Sequence, residues 1–394
     1  MRNTKNKKII IETDSDECSI SNLDEVWASD DDWVEVIPFE YKQPTLFIEQ
    51  TAWIIESFKQ TSFNLNCFKD EVSYRNIFYN KDEGFNLCVH TKDDQYHLFC
   101  ILETEDENGE ITIERHSVDG SELKVFQRSE IKLPFMKKLF CRTNTDDVYL
   151  TLFDPELKNE EFTYCNHKDD QNDILDLTEY QKRKKYKIGV LYVKEGQTKE
   201  EQFLHNVESS KTFQDFLNII GDKVKLSGFE GFSGGLDLLH GSCGKESVYT
   251  EWNDFEIMFH VSTLLPYDKS NKQQVVRKKH IGNDVVMIVF LDGNVKFDPD
   301  SFVTRQIHVI IAIRPIFKWG ELKYRIEVSR RSCVPEFEPI LPTPPIFDKN
   351  TLRDYLLTKV CQAERNVLVS GQFLKRYKFM RKDIIQKIYK RNLF

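Results

Sequence analysis

Tyr186-Lys-Ile-Gly-Val-Leu-Tyr-Val193 is the stretch of sequence that decides the fold. It is an almost continuous apolar run, which is typical of a β-strand that is buried on both faces. A helical pattern follows it, and strands that alternate with helices predict an α/β domain with a central mixed sheet flanked by helices. The helical pattern consists of Phe213, Phe216, Leu217 and Ile220, which recur at helical spacing. The further predicted strands are Phe255–Val261, Val285–Phe290 and Ile307–Ile313.

The last predicted helix begins near Thr351, after an extended, proline-rich connector over residues 335–345. Thr351 and Asp354 have the spacing of a capping box, in which each side chain satisfies a free backbone N–H of the first turn. Apolar residues recur at helical spacing after it, as expected for a helix with one buried face.

A second, β-rich region precedes this domain and is predicted to be an α+β accessory domain over residues 51–182. Its short strands are separated by turn sequences such as Glu107-Asn108-Gly109, which favours an antiparallel sheet with one covered face. The charged segment 166–187 is interpreted as an exposed boundary. The predicted strands are Phe85–His90, His97–Glu103, Glu110–Arg115 and Val148–Phe153.

The net charge of -9 is concentrated near the beginning of the chain. Eleven acidic residues and no lysine or arginine lie between Glu12 and Glu40. A segment of this composition cannot bury enough apolar surface to offset its ordering entropy, so residues 1–50 are predicted to be a disordered acidic arm. The arm is either a solubilising tail or an interaction segment anchored by Trp27 and Trp33.

Composition excludes several classes of protein. The nine cysteines are scattered without a CxxC pair, which indicates reduced thiols, and no cluster of cysteine and histidine suggests zinc. No apolar run reaches the roughly 20 residues that cross a bilayer. The stretch Ile9–Ile11 is too short for a signal sequence. We therefore expect a cytoplasmic protein with no integral membrane segment.

Two glycine-rich stretches do not fit a nucleotide-binding loop. Gly228–Asp237 lacks the G-x-G-x-x-G spacing, and in Gly241-Ser-Cys-Gly-Lys245 the lysine is not followed by serine or threonine. We expect these glycines to form tight turns and the chain to bind no cofactor of its own.

The segment between two predicted strands, residues 259–290, is the candidate site. A short basic helix is predicted to end at Gly282, with Val276, His280 and Asn283 on one face. A basic helix that ends in an amide suits insertion beside a phosphate. The alternative is that Asn283 only turns the chain and the basic residues are solvated, and the residues alone leave both open. The other candidate residues are Arg277, Lys278, Lys279 and Asp284.

Several motifs in order resemble the catalytic domain of the RapGAP family, including its SPA-1 and tuberin groups. They are KIGVLYVKEGQT (187–198), FEGFSGGLD (229–237), ESVYTEW (246–252), FHVSTLLPY (259–267) and RKKHIGNDVVMIVF (277–290). The resemblance covers about residues 186–394 and implies a Rap-GAP catalytic domain over 183–394. Residues 53–180, especially Ile131–Lys138, resemble more weakly the dimerisation domain found beside it, which implies a homodimer through 51–182.

The resemblance implies a GTPase-activating protein that acts on a Rap-type small GTPase. The family's asparagine thumb, which orients the attacking water in trans, matches Asn283, and His280 matches a residue that helps to engage the GTPase. Arg277, Lys278, Lys279 and Asp284 lie at GTPase-binding positions, although relatives often have arginine where this chain has Lys279. GTP and Mg²⁺ would be carried by the partner, which could recruit the protein to membranes through its lipid group.

Other functions stay open at this point. The partner could be a Rheb- or Ral-type GTPase, or the chain could be a catalytically silent scaffold that binds a GTPase. A nucleic-acid-binding role for Lys182–Lys185 and the basic stretch Lys375–Arg391 is a further alternative that salt-dependent binding would reveal. We expect no nucleic-acid partner.

Overall fold

The computed structural model describes residues 27–28, 34–35, 46, 52–59, 65, 67, 74–81, 84–104, 109–130, 145–158, 160–180, 183–318 and 320–393. The chain divides into two compact units, Met1–Gln43 and Pro44–Phe394. In the first unit, β1 and β2 form an antiparallel pair. Most of the predicted acidic arm lies outside the described residues.

The strands are β1 (Trp27–Ala28), β2 (Val34–Glu35), β3 (Trp53–Ile55), β4 (Gly84–His90), β5 (Tyr96–Glu103), β6 (Glu110–His116), β7 (Ser121–Gln127), β8 (Glu161–Tyr164), β9 (Lys185–Lys194), β10 (Asp222–Lys225), β11 (Glu246–Trp252), β12 (Phe255–Val261), β13 (Val286–Asp292), β14 (Val309–Lys318), β15 (Glu321–Arg331) and β16 (Ile346–Phe347). The α-helices are α1 (Tyr74–Ile77), α2 (Thr145–Phe153), α3 (Asp170–Glu179), α4 (Glu200–Leu204), α5 (Lys211–Ile220), α6 (Val275–Gly282), α7 (Lys349–Leu368) and α8 (Gly371–Arg391).

A nine-stranded mixed sheet forms the centre of the second unit. Its order is β10-β11-β12-β9-β13-β14-β15-β16, and β3 also pairs with β15. The four central strands β12, β9, β13 and β14 run parallel to one another, whereas each outer strand pairs antiparallel with its neighbours. Helices α5 and α7 cover one face and α4 and α6 the other. This arrangement confirms the α/β fold class and explains why residues 188–193 of β9 form an unbroken run without a polar side chain other than Tyr192.

The accessory region contains a five-stranded antiparallel sheet in the order β7-β6-β5-β4-β8. Helices pack on both of its faces, α2 on one and α1, α3 and α8 on the other, so the expected single covered face is wrong. The predicted strand Val148–Phe153 is also wrong, because it forms the end of α2. Tyr149, Leu150 and Phe153 are buried there at helical spacing, which a sequence window cannot distinguish from a short buried strand.

The two sheets exchange segments of the chain. Trp53–Ile55, expected to open the accessory domain, instead pairs with β15 of the large sheet. In return, Ile385 and Ile388 of the last helix, α8, lie in the core of the small sheet. The accessory sheet is therefore completed by residues from the far end of the chain. No helix among the described residues is long and apolar enough to span a membrane.

Candidate functional site

Helix α6 packs closely on the centre of the large sheet because one strand residue has no side chain. Gly189 of β9 lies in register with His260 of β12 and Met287 of β13. A Cβ atom on Gly189 would lie 3.1 Å from Cγ2 of Ile281, the buried residue near the end of α6. The glycine therefore fixes how near the helix end comes to the sheet.

Asn283 is the exposed residue at the C-terminal cap of α6. Its backbone carbonyl accepts a hydrogen bond from Nζ of Lys187 at 3.1 Å, and its N–H donates to the carbonyl of His280. On the same turn, the carbonyl of Gly282 accepts from Oγ1 of Thr304 at 2.7 Å. The amide side chain is thus offered to solvent from a backbone that the sheet and a neighbouring loop hold in place.

Asp284, the next residue, is fully buried. Its Oδ2 lies 2.8 Å from Nδ1 of the buried His260, and its Oδ1 lies 3.1 Å from Nζ of Lys187. A carboxylate can only accept, so Nδ1 of His260 carries the proton. The expectation that Asp284 contacts a GTPase is therefore corrected: a carboxylate with no exposed surface supports the end of α6 from inside.

His280 is half-buried on α6 and faces a second loop. Its Nε2 lies 3.2 Å from Sγ of Cys243, and its ring packs edge-on against His260 with centroids 5.4 Å apart. Burial lowers the pKa of His280, and the neighbouring His260 lowers it further, so the neutral imidazole predominates at pH 7. A neutral ring can donate or accept one hydrogen bond without adding charge beside Asn283.

The segment from Asp237 to Gly244, which does not fit a nucleotide-binding loop, lies next to His280. The carboxylate of Asp237 accepts bonds from the N–H groups of Leu239, His240 and Ser242, which closes a tight turn. Gly244 has a φ of +97°, and a Cβ there would lie 2.7 Å from the carbonyl of Leu264. The glycines form turns as expected, and these turns bring Cys243 to His280.

Arg277 is almost completely buried, although it was predicted to bind a GTPase. Its guanidinium donates to the carbonyls of Leu204 and Asn206 at 2.7 Å each and to that of Leu265 at 3.1 Å. Burial lowers its pKa to about 10. Direct binding is incompatible with this position, so the prediction for Arg277 is corrected: the residue ties α6 to the loops before it.

The two lysines that follow differ from each other. Nζ of Lys278 forms an ion pair with Glu200 of α4 at 2.7 Å, whereas Lys279 is exposed. Lys279 and Asn283 are four residues apart, so they share one side of the helix end. Among the described residues, no group of three histidine, cysteine or acidic side chains is arranged to hold a metal ion. The exposed groups at the end of α6 are thus the side-chain amide of Asn283 and the ammonium group of Lys279.

The motif sequences identified several candidates but missed the residues that hold them. His260, Lys187, Gly189 and Cys243 were not predicted as site residues. Each of them lies inside one of the family motifs or beside a glycine turn. The signal that could have identified His260 is its position as a polar residue within an otherwise apolar strand.

Residues 203–382 match the family model described as Rap/ran-GAP. These residues therefore form a domain of the Rap/Ran-GAP family. The chain is 41% identical over 53% of its length to the human GTPase-activating Rap/Ran-GAP domain-like protein 3. It is 42% identical over 51% of its length to the mouse signal-induced proliferation-associated 1-like protein 3.

A GTPase-activating protein of Dictyostelium discoideum is 35% identical over 70% of this chain. The matches cover only 26% of that protein, 21% of the human relative and 11% of the mouse relative, so this chain corresponds to a small part of each. A solved structure of the TSC2 GAP domain aligns with 47% of this chain and 97% of its own, at 28% identity and a TM-score of 0.43.

Proposed function

We propose that this protein accelerates GTP hydrolysis by a Rap-type small GTPase and supplies Asn283 in trans. The observation that carries the proposal is the combination at the end of α6: Asn283 is exposed, while the buried Asp284 and His260, together with the half-exposed Lys187, support the adjoining backbone. A residue that only turned the chain would not require buried charges to hold it.

The chemistry follows from the properties of an amide. Its oxygen can accept a hydrogen bond from the attacking water while its nitrogen donates to a phosphate oxygen, and it has no proton to lose. Holding the water in line with the phosphate removes part of the orientation cost of the reaction. In ordinary GTPases a glutamine of the GTPase performs this task, and GTP and Mg²⁺ remain bound to the GTPase. The exposed cation of Lys279 favours approach of an acidic partner.

Asn283→Ala tests the proposal in a single-turnover assay with GTP-loaded Rap, Rheb and Ral. Stimulation of hydrolysis is expected to fall at least about 100-fold, because effects of GTPase-activating proteins are about 10³–10⁵-fold in rate. Binding to the GTPase should change little. Asn350→Ala, at another exposed asparagine, is the matched control. Near-full activity of Asn283→Ala on every GTPase would remove Asn283 from the mechanism.

The same panel separates the alternatives. A Rheb- or Ral-type partner would shift the stimulated GTPase but keep the dependence on Asn283. A catalytically silent scaffold would bind a GTPase without stimulating it, and Asn283→Ala would then have no effect on hydrolysis. His280→Ala is expected to weaken productive binding, since its ring lies beside the helix end that carries Asn283.

We further propose that the protein is a cytoplasmic homodimer that associates through residues 51–182. The support is the weaker resemblance of this segment to a dimerisation domain. Light scattering at several concentrations tests it, and a monomer at every concentration would contradict it.

A further inference from the structure

Helix α8 carries a basic face that the proposed GTPase site does not use. Its inner side is built into the small sheet: Tyr377, Arg381, Ile385 and Ile388 are buried. Arg381 donates to the carbonyls of Ser117 and Gly120. The helix therefore already has its packing partner, and its outward face remains to be explained.

Apart from the buried Arg381, the basic residues of α8 fall into two groups. Lys378 pairs with Asp119 at 2.7 Å, Lys387 with Asp173 at 2.8 Å and Arg391 with Asp170 at 3.0 Å. The remaining four are exposed and form no ion pair within the described chain. These four are Lys375, Arg376, Lys382 and Lys390. Two exposed carboxylates lie near them, that of Asp383 on the same helix and that of Asp94, whose pKa is lowered by His90 and, to a smaller extent, by Lys382.

Phe379 lies on the same face as the four cations. Its side chain is 74% exposed, although it is one of the largest apolar residues of the helix. Positions 375, 376, 379, 382 and 390 recur at spacings that keep them on one side of a helix. From Lys375 to Lys390 the face extends about 22 Å, at about 1.5 Å per residue. The outer face of α8 is therefore cationic and carries one projecting aromatic ring, which is complementary to an anionic surface with an apolar interior.

We propose that this outer face of α8 binds the surface of an anionic phospholipid membrane. Clusters of four or more lysine and arginine residues on a helix bind acidic lipids, and an apolar ring inserted at the boundary of headgroups and acyl chains adds affinity. A single-stranded nucleic acid is matched less well, because such ligands follow grooves in which several aromatic rings stack on successive bases.

The face adjoins the support of the candidate site. Nε2 of Gln372, in the first turn of α8, donates to the carbonyl of Arg305 at 3.2 Å. The adjacent residue, Thr304, caps Gly282 at the end of α6. One loop therefore links the start of α8 to the helix that carries Asn283. The lipid proposal itself does not depend on the identity of the GTPase.

Vesicle flotation with the full chain tests the proposal. Vesicles of phosphatidylcholine alone are compared with vesicles that contain 30 mol% phosphatidylserine, at roughly 0.1 M and 0.5 M salt, where screening differs strongly. Binding is expected only to the anionic vesicles, and high salt should weaken it. Lys375→Glu with Arg376→Glu should reduce binding at least about tenfold, and Phe379→Ala should reduce it severalfold without a change of charge.

Lys225→Glu with Lys349→Glu makes the same charge change on other exposed positions and should retain most of the binding. Equal loss in this control, or no binding to anionic vesicles, would overturn the proposal. So would tighter binding of a single-stranded RNA that depends on the same three α8 residues. The α8 variants should stimulate GTP hydrolysis normally in the absence of vesicles; a loss there would assign this face to the GTPase instead.

Discussion

Nδ1 of His260 donates to Oδ2 of Asp284 across 2.8 Å, and neither side chain is more than 1% exposed. The pair joins strand β12 to the first residue after Asn283, and Lys187 of the intervening strand reaches both the carboxylate and the carbonyl of Asn283. A buried charge with such partners usually costs free energy unless all of its bonds are made. Here the bonds connect a fully buried carboxylate, through the half-exposed Lys187, to the backbone carbonyl of Asn283, whose side chain is exposed.

Replacement of Asp284 should therefore damage both stability and activity. Asp284→Ala leaves Nδ1 of His260 buried without its acceptor, which costs about 1–3 kcal/mol in the free energy of unfolding. GAP activity should fall more than the fraction of folded protein explains, because Asn283 loses its support. Denaturant unfolding and GTP turnover on the same samples measure the two effects, and Asp284→Asn should retain more of both. Unchanged turnover in folded Asp284→Ala would contradict the supporting role.

Gly189→Ala tests the close approach of α6 to the sheet. The added methyl group would lie 3.1 Å from Cγ2 of Ile281, so the helix end must move by a few tenths of an ångström. Overpacking of this kind costs about 1–3 kcal/mol, and displacement of Asn283 should slow stimulated hydrolysis with little effect on GTPase affinity. Gly84→Ala, where the nearest atom lies at 3.4 Å, is the control and should behave like the wild type.

Arg277 and Lys279 make a matched comparison on one helix. Arg277→Ala removes a buried guanidinium from four carbonyls, those of Leu204, Asn206, Leu265 and Pro266, so the free energy of unfolding should fall by about 2–4 kcal/mol. Lys279→Ala should change it by less than about 0.5 kcal/mol, because the residue is exposed. In contrast, Lys279→Ala should slow association with an acidic GTPase, and more so at low salt. The reverse pattern in urea titrations and stopped-flow binding would reject this division of roles.

Glu364 of α7 gives the fold a defined pH dependence. Burial, with a smaller contribution from the nearby Asp284, raises the pKa of this carboxyl group to about 8, although the positive charge of Arg183 opposes the shift. The folded protein therefore holds a proton that the unfolded chain, with a carboxyl pKa near 4.5, has lost. Stability from this group is present below about pH 4.5 and is lost as pH rises towards 8, by at most about 1.4 kcal/mol per pH unit. Glu364→Gln should flatten the curve of unfolding free energy between pH 5 and 8, and an unaltered slope would refute the assignment.

The segment around β3, expected from the sequence to belong to the accessory region, should prove necessary for the stability of the large sheet. Nζ of Lys359 in α7 is fully buried and lies 2.7 Å from Oε2 of Glu56, next to β3. Glu56→Ala leaves this ammonium group without its carboxylate and should cost about 3–5 kcal/mol. The double variant Glu56→Ala with Lys359→Met removes both charges and should recover most of the loss in chemical denaturation. No recovery would mean that the cost arises elsewhere.

Local pattern was sufficient for the centre of the catalytic domain. The predicted strands at 186–193, 255–261, 285–290 and 307–313 correspond to β9, β12, β13 and β14, and the short helix ending at Gly282 is α6. These elements are buried on most sides, so the pattern of apolar residues in the sequence is sufficient to predict them. The start of α7 was misplaced, since Asp348 rather than Thr351 is the N-cap and accepts from the N–H groups of Asn350 and Thr351.

Long-range partners were not predictable in the same way. The charged segment 166–187, interpreted as an exposed boundary, contains α3, whose Ile174 is fully buried. Likewise, the sequence near Arg277 gives no sign that carbonyls more than 70 residues away accept its hydrogen bonds. Whether a basic residue is solvated or enclosed depends on acceptors that only the folded chain assembles.

The exchange of segments between the two sheets has a consequence for how the protein is made. The small sheet is translated early, but its core lacks α8 until about 200 further residues have been added. At ribosomal rates of about 5–20 residues per second, the sheet waits roughly 10–40 s with its α8-facing surface uncovered. During that interval the nascent chain must avoid aggregation, so a chaperone on the ribosome would find its binding surface on β4 and β5, where Ile385 and Ile388 later pack.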